Sequence, residues 1–257
     1  LVVGAGGYYA CELARAGHDV AVVARGAHGA AIGAHGLRVR QPDGSEGCNR
    51  VAVCEAMLER IVDLVLVAVK SYDSERAAYL LRPCTGPATI VLSLQNGAAD
   101  LVFGEIDGTR SPRAERLAAW LEHAHVEHRL STRIHNVVWD KLASNAAFNA
   151  VTTITRRSIG EVLDGDPGAG LIRDTMREAF DVAHGLGHQV PVRIDASIDH
   201  SRRALPDFRT SMLRTSSAAG LEYDALNGAV TRAGRRAGVA TPLNGTLARL
   251  LAAIDRR

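Results

Sequence analysis

The sequence predicts a doubly wound α/β domain followed by an all-α domain, and three observations carry that expectation. Short apolar runs alternate with helical patterns through the first half, a glycine turn follows the first run, and beyond about Ser131 the pattern is helical almost throughout. Continuous Val/Leu/Ile runs, rather than apolar–polar alternation, mark strands buried on both faces, as in a parallel sheet covered by helices. Strands alternating with helices then imply layered α/β architecture.

Taken in order, Leu1 to Ala5 reads as a strand, Tyr8 to Ala16 as a helix and Asp19 to Ala24 as a second strand. Val51 to Cys54, Leu64 to Val69 and Thr89 to Leu94 are further β-type runs, with a helical stretch at Ser74 to Leu81. The later helical patterns cover Ile134 to Ala150, Gly170 to Leu186, Ile194 to Ala204 and Asp224 to Ala237. Gly185, Gly187, Pro191, Pro206, Gly238 and Pro242 are where helices should end. The expected division is residues 1–130 and 131–257.

Composition narrows the functional classes. The 257 residues are 47% hydrophobic with a formal net charge of +2, as in a soluble globular protein. No apolar run approaches the ~20 residues of a membrane span. The opening Leu1-Val2-Val3 is strand-like rather than a secretory leader, so the expectation is cytoplasmic, with no membrane partner. Basic residues are scattered, which argues against nucleic acid. Cys11, Cys48, Cys54 and Cys84 form no CxxC pair and no metal spacing, so reduced thiols and no metal site are expected. His123, His125 and His128 fit no zinc motif and read as surface strand residues. Glu161 and Asp164 read as a solvated helix start, and His184 as favourable charge at a helix C-terminus.

One fact is sharper. Of 30 Lys+Arg residues only two are lysines, Lys70 and Lys141. Wherever a solvated positive charge suffices, this chain uses Arg. A site that needs an ammonium able to release a proton cannot accept Arg, whose pKa exceeds ~12. The two lysines are therefore the first candidates for chemistry.

Gly4-Ala5-Gly6 follows the first strand and precedes a helix, the place for a dinucleotide-binding turn of the Rossmann type. The first Gly permits the tight turn, and the second lets backbone approach a pyrophosphate at the helix N-terminus. The third glycine of that fingerprint is absent, with Tyr9 at its position. Where an NAD enzyme places an acid at the end of the second strand, this chain has Arg25, which can pair with a 2′-phosphate and points to NADPH. Lys70 follows the buried run Leu64 to Val69, and Asn96 follows Thr89 to Leu94, both at strand carboxyl ends, where open α/β sheets bind ligands. Asn96-Gly97 is equally the commonest hairpin turn.

The most informative stretch is Asn136 to Asn149. Lys141, Asn145 and Asn149 lie at i, i+4 and i+8, within an arc of about 80° on one helix. Leu142, Ala143, Ala146, Ala147 and Phe148 between them are apolar. A polar stripe there is a solvent face or a pocket wall, and a solvent face in this chain would be written with Arg and Glu. A pocket wall suits reduction of a ketone. Hydride addition leaves an alkoxide that a lysine ammonium can stabilise and protonate, while amides bind substrate oxygens without adding charge.

With these residues in view, the sequence resembles the ketopantoate reductase (2-dehydropantoate 2-reductase) family over nearly its whole length. The matching motifs are Val-Val-Gly-Ala-Gly6, Ala16-Gly-His-Asp-Val20 into Val-Ala-Arg-Gly26, Val69-Lys-Ser-Tyr-Asp73 and Ser93-Leu-Gln-Asn-Gly97. They continue with Gly104-Glu-Ile-Asp-Gly108, Trp139-Asp-Lys-Leu142 with Asn145, and Glu222-Tyr-Asp-Ala-Leu-Asn-Gly228. The resemblance implies NADPH-dependent reduction of ketopantoate to pantoate, on the route to pantothenate. It places the general acid on Lys141, completes the catalytic site with Glu222, and assigns substrate contacts to Asn145, Asn149 and Ser211. It also implies cofactor roles for Arg25, Lys70 and Asn96. The chain departs from the family pattern in its shortened glycine turn after Gly6 and between Asp100 and Leu101, where the family carries a few dozen more residues. Ser211 to Glu222 is about one residue tighter, and an Asn often found after the catalytic helix is replaced around Ile159. Another NADP-dependent 2-keto acid or β-hydroxyacid reductase is a second reading, and a catalytically silent NADPH-binding protein a third. The all-α second domain leaves room for a homodimer.

Overall fold

The computed structural model describes residues 1–4, 6–40, 44, 46–55, 59–94, 101–215 and 220–255. The chain divides into two units, Leu1–Ile134 and His135–Arg257.

The first unit is built on a parallel five-stranded sheet. Its strands are β1 (Val2–Gly4), β2 (Ala21–Val23), β5 (Ala52–Cys54), β6 (Leu64–Ala68) and β7 (Ile90–Ser93), in spatial order β5-β2-β1-β6-β7. In register, Val2 faces Val22 on one side and Leu66 on the other. Successive strand residues point to opposite faces. Val2, Val22 and Leu66 join a core with Ala10 and Leu13 of α1 (Gly7–Arg15). Val3, Val65 and Val67 pack with Ala77 and Leu81 of α3 (Ser74–Leu81). Both faces are covered, which explains the unbroken apolar runs, and the α/β doubly wound expectation holds. The strands come out one to three residues shorter than the runs.

Several elements of this unit are not evident from the apolar pattern. Helix α2 (Gly26–His35) follows β2, and an antiparallel hairpin joins β3 (Leu37–Arg40) to β4 (Glu46–Asn49). Strands β8 (Leu101–Phe103) and β9 (His128–Leu130) pair parallel as a separate two-stranded sheet, connected by α4 (Pro112–His123). Ser111 caps α4 by accepting from the Ala114 amide at 3.2 Å, with Pro112 in the first turn. Gly104, just after β8, lies so close to the next segment that a Cβ would sit 1.9 Å from the Ser131 carbonyl oxygen. Only β9 contains one of the clustered histidines, His128; His123 ends α4, and His125 takes a left-handed turn (φ 54°).

The second unit is helical: α5 (Ile134–Thr155, beginning at the boundary), α6 (Ile159–Leu163), α7 (Asp166–Gly185), α8 (Ile194–Ala204), α9 (Ser211–Thr215), a π turn (Asp224–Gly228), α10 (Ala229–Ala237) and α11 (Pro242–Ile254). One core runs through it, with Phe180, Ile172 and Met176 of α7 against Ala143, Ala147 and Val151 of α5. Helix α5 continues past Ala150, and Thr152 and Thr155 donate back to the Phe148 and Val151 carbonyls at 2.8 and 2.7 Å. The Asp224 to Ala237 pattern divides into the π turn and α10. Pro242 opens α11 rather than ending a helix, because a first-turn proline has no amide to lose. Glu161 stands exposed in the first turn of α6, as expected of a solvated helix start, and also closes a capping box with Ser158. His184 stands in the last turn of α7 and bonds the Val190 carbonyl at 2.9 Å through Nε2. No described helix is long and apolar enough to cross a membrane.

Candidate active site

The nucleotide end is assembled at the carboxyl edge of the parallel sheet. Gly4, last residue of β1, has φ +91° and pairs in register with Ala68. A Cβ on Gly4 would sit 2.5 Å from the Ala68 carbonyl oxygen and 2.7 Å from the Val69 amide nitrogen. Both the backbone angle and the contact demand glycine. Lys70 comes next after Val69, half-buried and extended, ahead of a short 3₁₀ turn. Gly4 and Lys70 therefore share the β1/β6 boundary, where connections leave the sheet in opposite directions and α/β sheets bind ligands. Gly6 is the N-cap of α1, which begins at once at Gly7, and a Cβ on Gly6 would press to 2.6 Å from Val2 Cγ1. Arg25, two residues beyond β2 on the same edge, is the exposed N-cap of α2. Asn96 lies outside the described residues. A cavity of about 360 Å³ lined by His18, Arg60 and Trp120 lies at the opposite, amino edge of these strands, away from the glycine turn.

The second unit holds the proton-transfer candidates. Along α5, Lys141 and Asn145 are half-buried and Asn149 is buried, while Ala143, Ala146 and Ala147 pack into the core. The stripe thus runs from the surface inward. Burial lowers the Lys141 ammonium below the ordinary lysine pKa, toward the range in which a lysine gives up its proton readily. Two hydrogen bonds bring the remaining candidates to this helix. Thr210, just before Ser211, shares a bond with Thr152 of α5 at 2.7 Å. Asn227, in the π turn after Glu222, donates from Nδ2 to the Ala146 carbonyl at 3.0 Å. Half-buried Ser211 and Glu222 therefore sit on segments fastened to the helix of the polar stripe.

The sequence does not single out the buried pair Asn227 and Asn244. The available signal is an amide inside an apolar helical pattern, since wholly buried Asn is uncommon without partners. Among the described residues no cluster of His, Cys, Asp and Glu could hold a metal ion.

Comparison with known proteins bears on what this arrangement serves. The family profile described as "Ketopantoate reductase PanE/ApbA" matches residues 1–103, and "Ketopantoate reductase PanE/ApbA C terminal" matches residues 133–255. The chain belongs to the ketopantoate reductase family. Like the family, it pairs an N-terminal parallel α/β domain with a helical C-terminal domain, and it is an oxidoreductase. A 2-dehydropantoate 2-reductase from Mesorhizobium japonicum is 27% identical, covering 98% of this chain and 94% of that protein. One from Halobacterium salinarum is 28% identical over 86% of each. Among solved structures, the PanE/ApbA family ketopantoate reductase from Ralstonia eutropha aligns with a TM-score of 0.87 at 27% identity, covering 99% and 98% of the two chains. D-mandelate dehydrogenase, in a ternary structure with NADH and anilino(oxo)acetate, shares the fold at a TM-score of 0.85 and 19% identity, over 98% and 97%.

Proposed function

We propose that this ketopantoate reductase family member reduces 2-dehydropantoate to pantoate with NADPH, as a cytoplasmic enzyme of pantothenate biosynthesis, Lys141 supplying the proton. The observation that carries the reading is the Lys141–Asn145–Asn149 stripe, its lysine half-buried and its amides running inward. The sheet edge suits a dinucleotide, because Gly4 and Gly6 make a tight turn at the β1/β6 boundary, where Ala68 and Val2 pack so close that neither position has room for a Cβ. Gly4 and Gly6 would admit the pyrophosphate, and Arg25 would pair with the 2′-phosphate, with Lys70 and Asn96 further cofactor contacts. When bound, the nicotinamide supplies the hydride that reduces the keto carbon.

The chain's own residues do the rest. Asn145, Asn149 and Ser211 hold the keto acid by hydrogen bonds. The Lys141 ammonium faces the keto oxygen, stabilises the negative charge as it develops and passes it a proton, leaving a neutral amine that regains its proton from solvent. Glu222 completes the polar set around the substrate. The likeness to D-mandelate dehydrogenase supports a second reading, in which the same machinery reduces a different 2-keto acid. Following NADPH oxidation with ketopantoate, 2-ketoisovalerate and phenylglyoxylate in parallel separates the two. The first reading requires kcat/KM to be highest for ketopantoate, and a clear preference for either other acid refutes it.

A further inference from the structure

The most deeply buried amides of the helical unit contact neither end of the polar stripe. Asn227, in the π turn, and Asn244, the third residue of α11, are both fully buried. Asn227 Nδ2 donates to the Ala146 carbonyl and to Asn244 Oδ1, each at 3.0 Å. Asn244 Nδ2 donates in turn to the Thr175 carbonyl at 3.1 Å and to Glu178 Oε2 at 2.9 Å. The Glu178 carboxylate also accepts from the Leu243 and Asn244 amides at 2.8 and 2.9 Å, at the start of α11.

These bonds fix both amide orientations. Asn244 turns its nitrogen to two acceptors, so its oxygen faces Asn227, which must answer with its own nitrogen. The atom left over, Asn227 Oδ1, is buried with no donor among the described residues. An unsatisfied buried carbonyl is a cost that an apolar side chain of similar size would avoid. Such a side chain would in turn leave the buried Asn244 Oδ1 without its donor, so stability alone does not decide for an amide here, whereas geometry does. Asn227 fastens the π turn to Ala146, immediately after Asn145 and one turn before Asn149 on α5. Glu222 stands just upstream, its carbonyl accepting from the Leu226 amide at 3.2 Å. A π turn inserts an extra residue and so re-aims what precedes it, and such turns recur at functional sites.

We infer that Asn227 is a positioning residue, whose bond to the Ala146 carbonyl sets the Glu222 segment in register with the Lys141–Asn145–Asn149 stripe. This rests on the proposed role of that stripe in reducing a 2-keto acid.

The test compares parent, Asn227→Leu, Asn227→Ser and Lys141→Ala, using NADPH and ketopantoate, or whichever 2-keto acid the parent reduces best. Asn227→Leu removes the orphaned oxygen and strips Asn244 Oδ1 of its donor, two effects of opposite sign. Its melting temperature should stay within about 4 °C of the parent, about the shift expected from a small net change in a chain of this size. Its kcat/KM for the keto acid should nevertheless fall at least tenfold. The Kd for NADPH, from fluorescence titration, should stay within twofold. Asn227→Ser, too short to reach Ala146, should fall likewise. Parent kcat/KM in both variants overturns the inference, as does a loss that merely follows the unfolded fraction or the failure of both variants to fold. Full turnover by Lys141→Ala overturns the lysine reading instead. An inactive Lys141→Ala beside fully active Asn227 variants overturns the positioning role alone.

Discussion

Replacing Arg25 with alanine isolates the cofactor preference from everything else in the molecule. Arg25 is exposed, follows β2 by two residues, and makes no side-chain cap hydrogen bond; its carbonyl accepts from the Gly29 amide at 3.3 Å, a backbone bond that alanine keeps. Removing its side chain therefore leaves the folded unit otherwise intact, and the melting temperature should not move. A hydrogen bond to a charged partner contributes about 1.5–3 kcal/mol net. At about 1.4 kcal/mol per tenfold, its loss weakens binding by about 10- to 150-fold. Only NADPH carries the 2′-phosphate, so its KM should rise by that factor while the KM for NADH stays within about twofold. Initial rates with each cofactor at saturating keto acid measure both. Equal weakening of NADH and NADPH, or no change in either, would refute the assignment of Arg25 to the 2′-phosphate.

Three further outcomes probe the rest of the account. As a proton donor Lys141 is active only as the ammonium, so kcat should fall as pH rises through its pKa. Because burial lowers that pKa, the fall should come below the pH of an ordinary lysine, and a rate that climbs across this range would contradict the role. Asn149→Ala removes one neutral hydrogen bond of about 0.5–1.5 kcal/mol; the KM for the keto acid should rise about 2- to 12-fold with the KM for NADPH unchanged. Gly4→Ala forces a Cβ to 2.5 Å from the Ala68 carbonyl at φ +91°. Calorimetry should show a loss of about 3 kcal/mol, since such strain costs on the order of 1–3 kcal/mol for each source.

How far these features were legible depends on how local their causes are. The parallel strands could be read because burial on both faces writes itself as unbroken apolar sequence. The β3–β4 hairpin was not read, because Leu37-Arg-Val-Arg40 alternates over only four residues and its partner Glu46-Gly-Cys-Asn49 has no buried position and little apolar character. Helix α2 escaped for a related reason, since its Gly- and Ala-rich run Gly26–His35 offers almost no apolar stripe. Helix α4 carried a usable signal, Ser111-Pro112 ahead of Ala114, Leu117 and Leu121 at helical spacing. In the candidate site, Lys141, Asn145 and Asn149 were visible because one helix holds them at fixed spacing. The bonds Thr152–Thr210 and Asn227–Ala146 join residues 58 and 81 positions apart, a relation only the folded chain expresses.

The proton-donor role of Lys141 is tested most directly by NADPH oxidation with ketopantoate in the parent and in Lys141→Ala, alongside fluorescence titration of NADPH. The expected result is a parent that turns over and a variant that binds NADPH with unchanged affinity yet has lost turnover by a factor of at least about a hundred, within the range of general acid catalysis. A variant that reduces ketopantoate at the parent rate would contradict it.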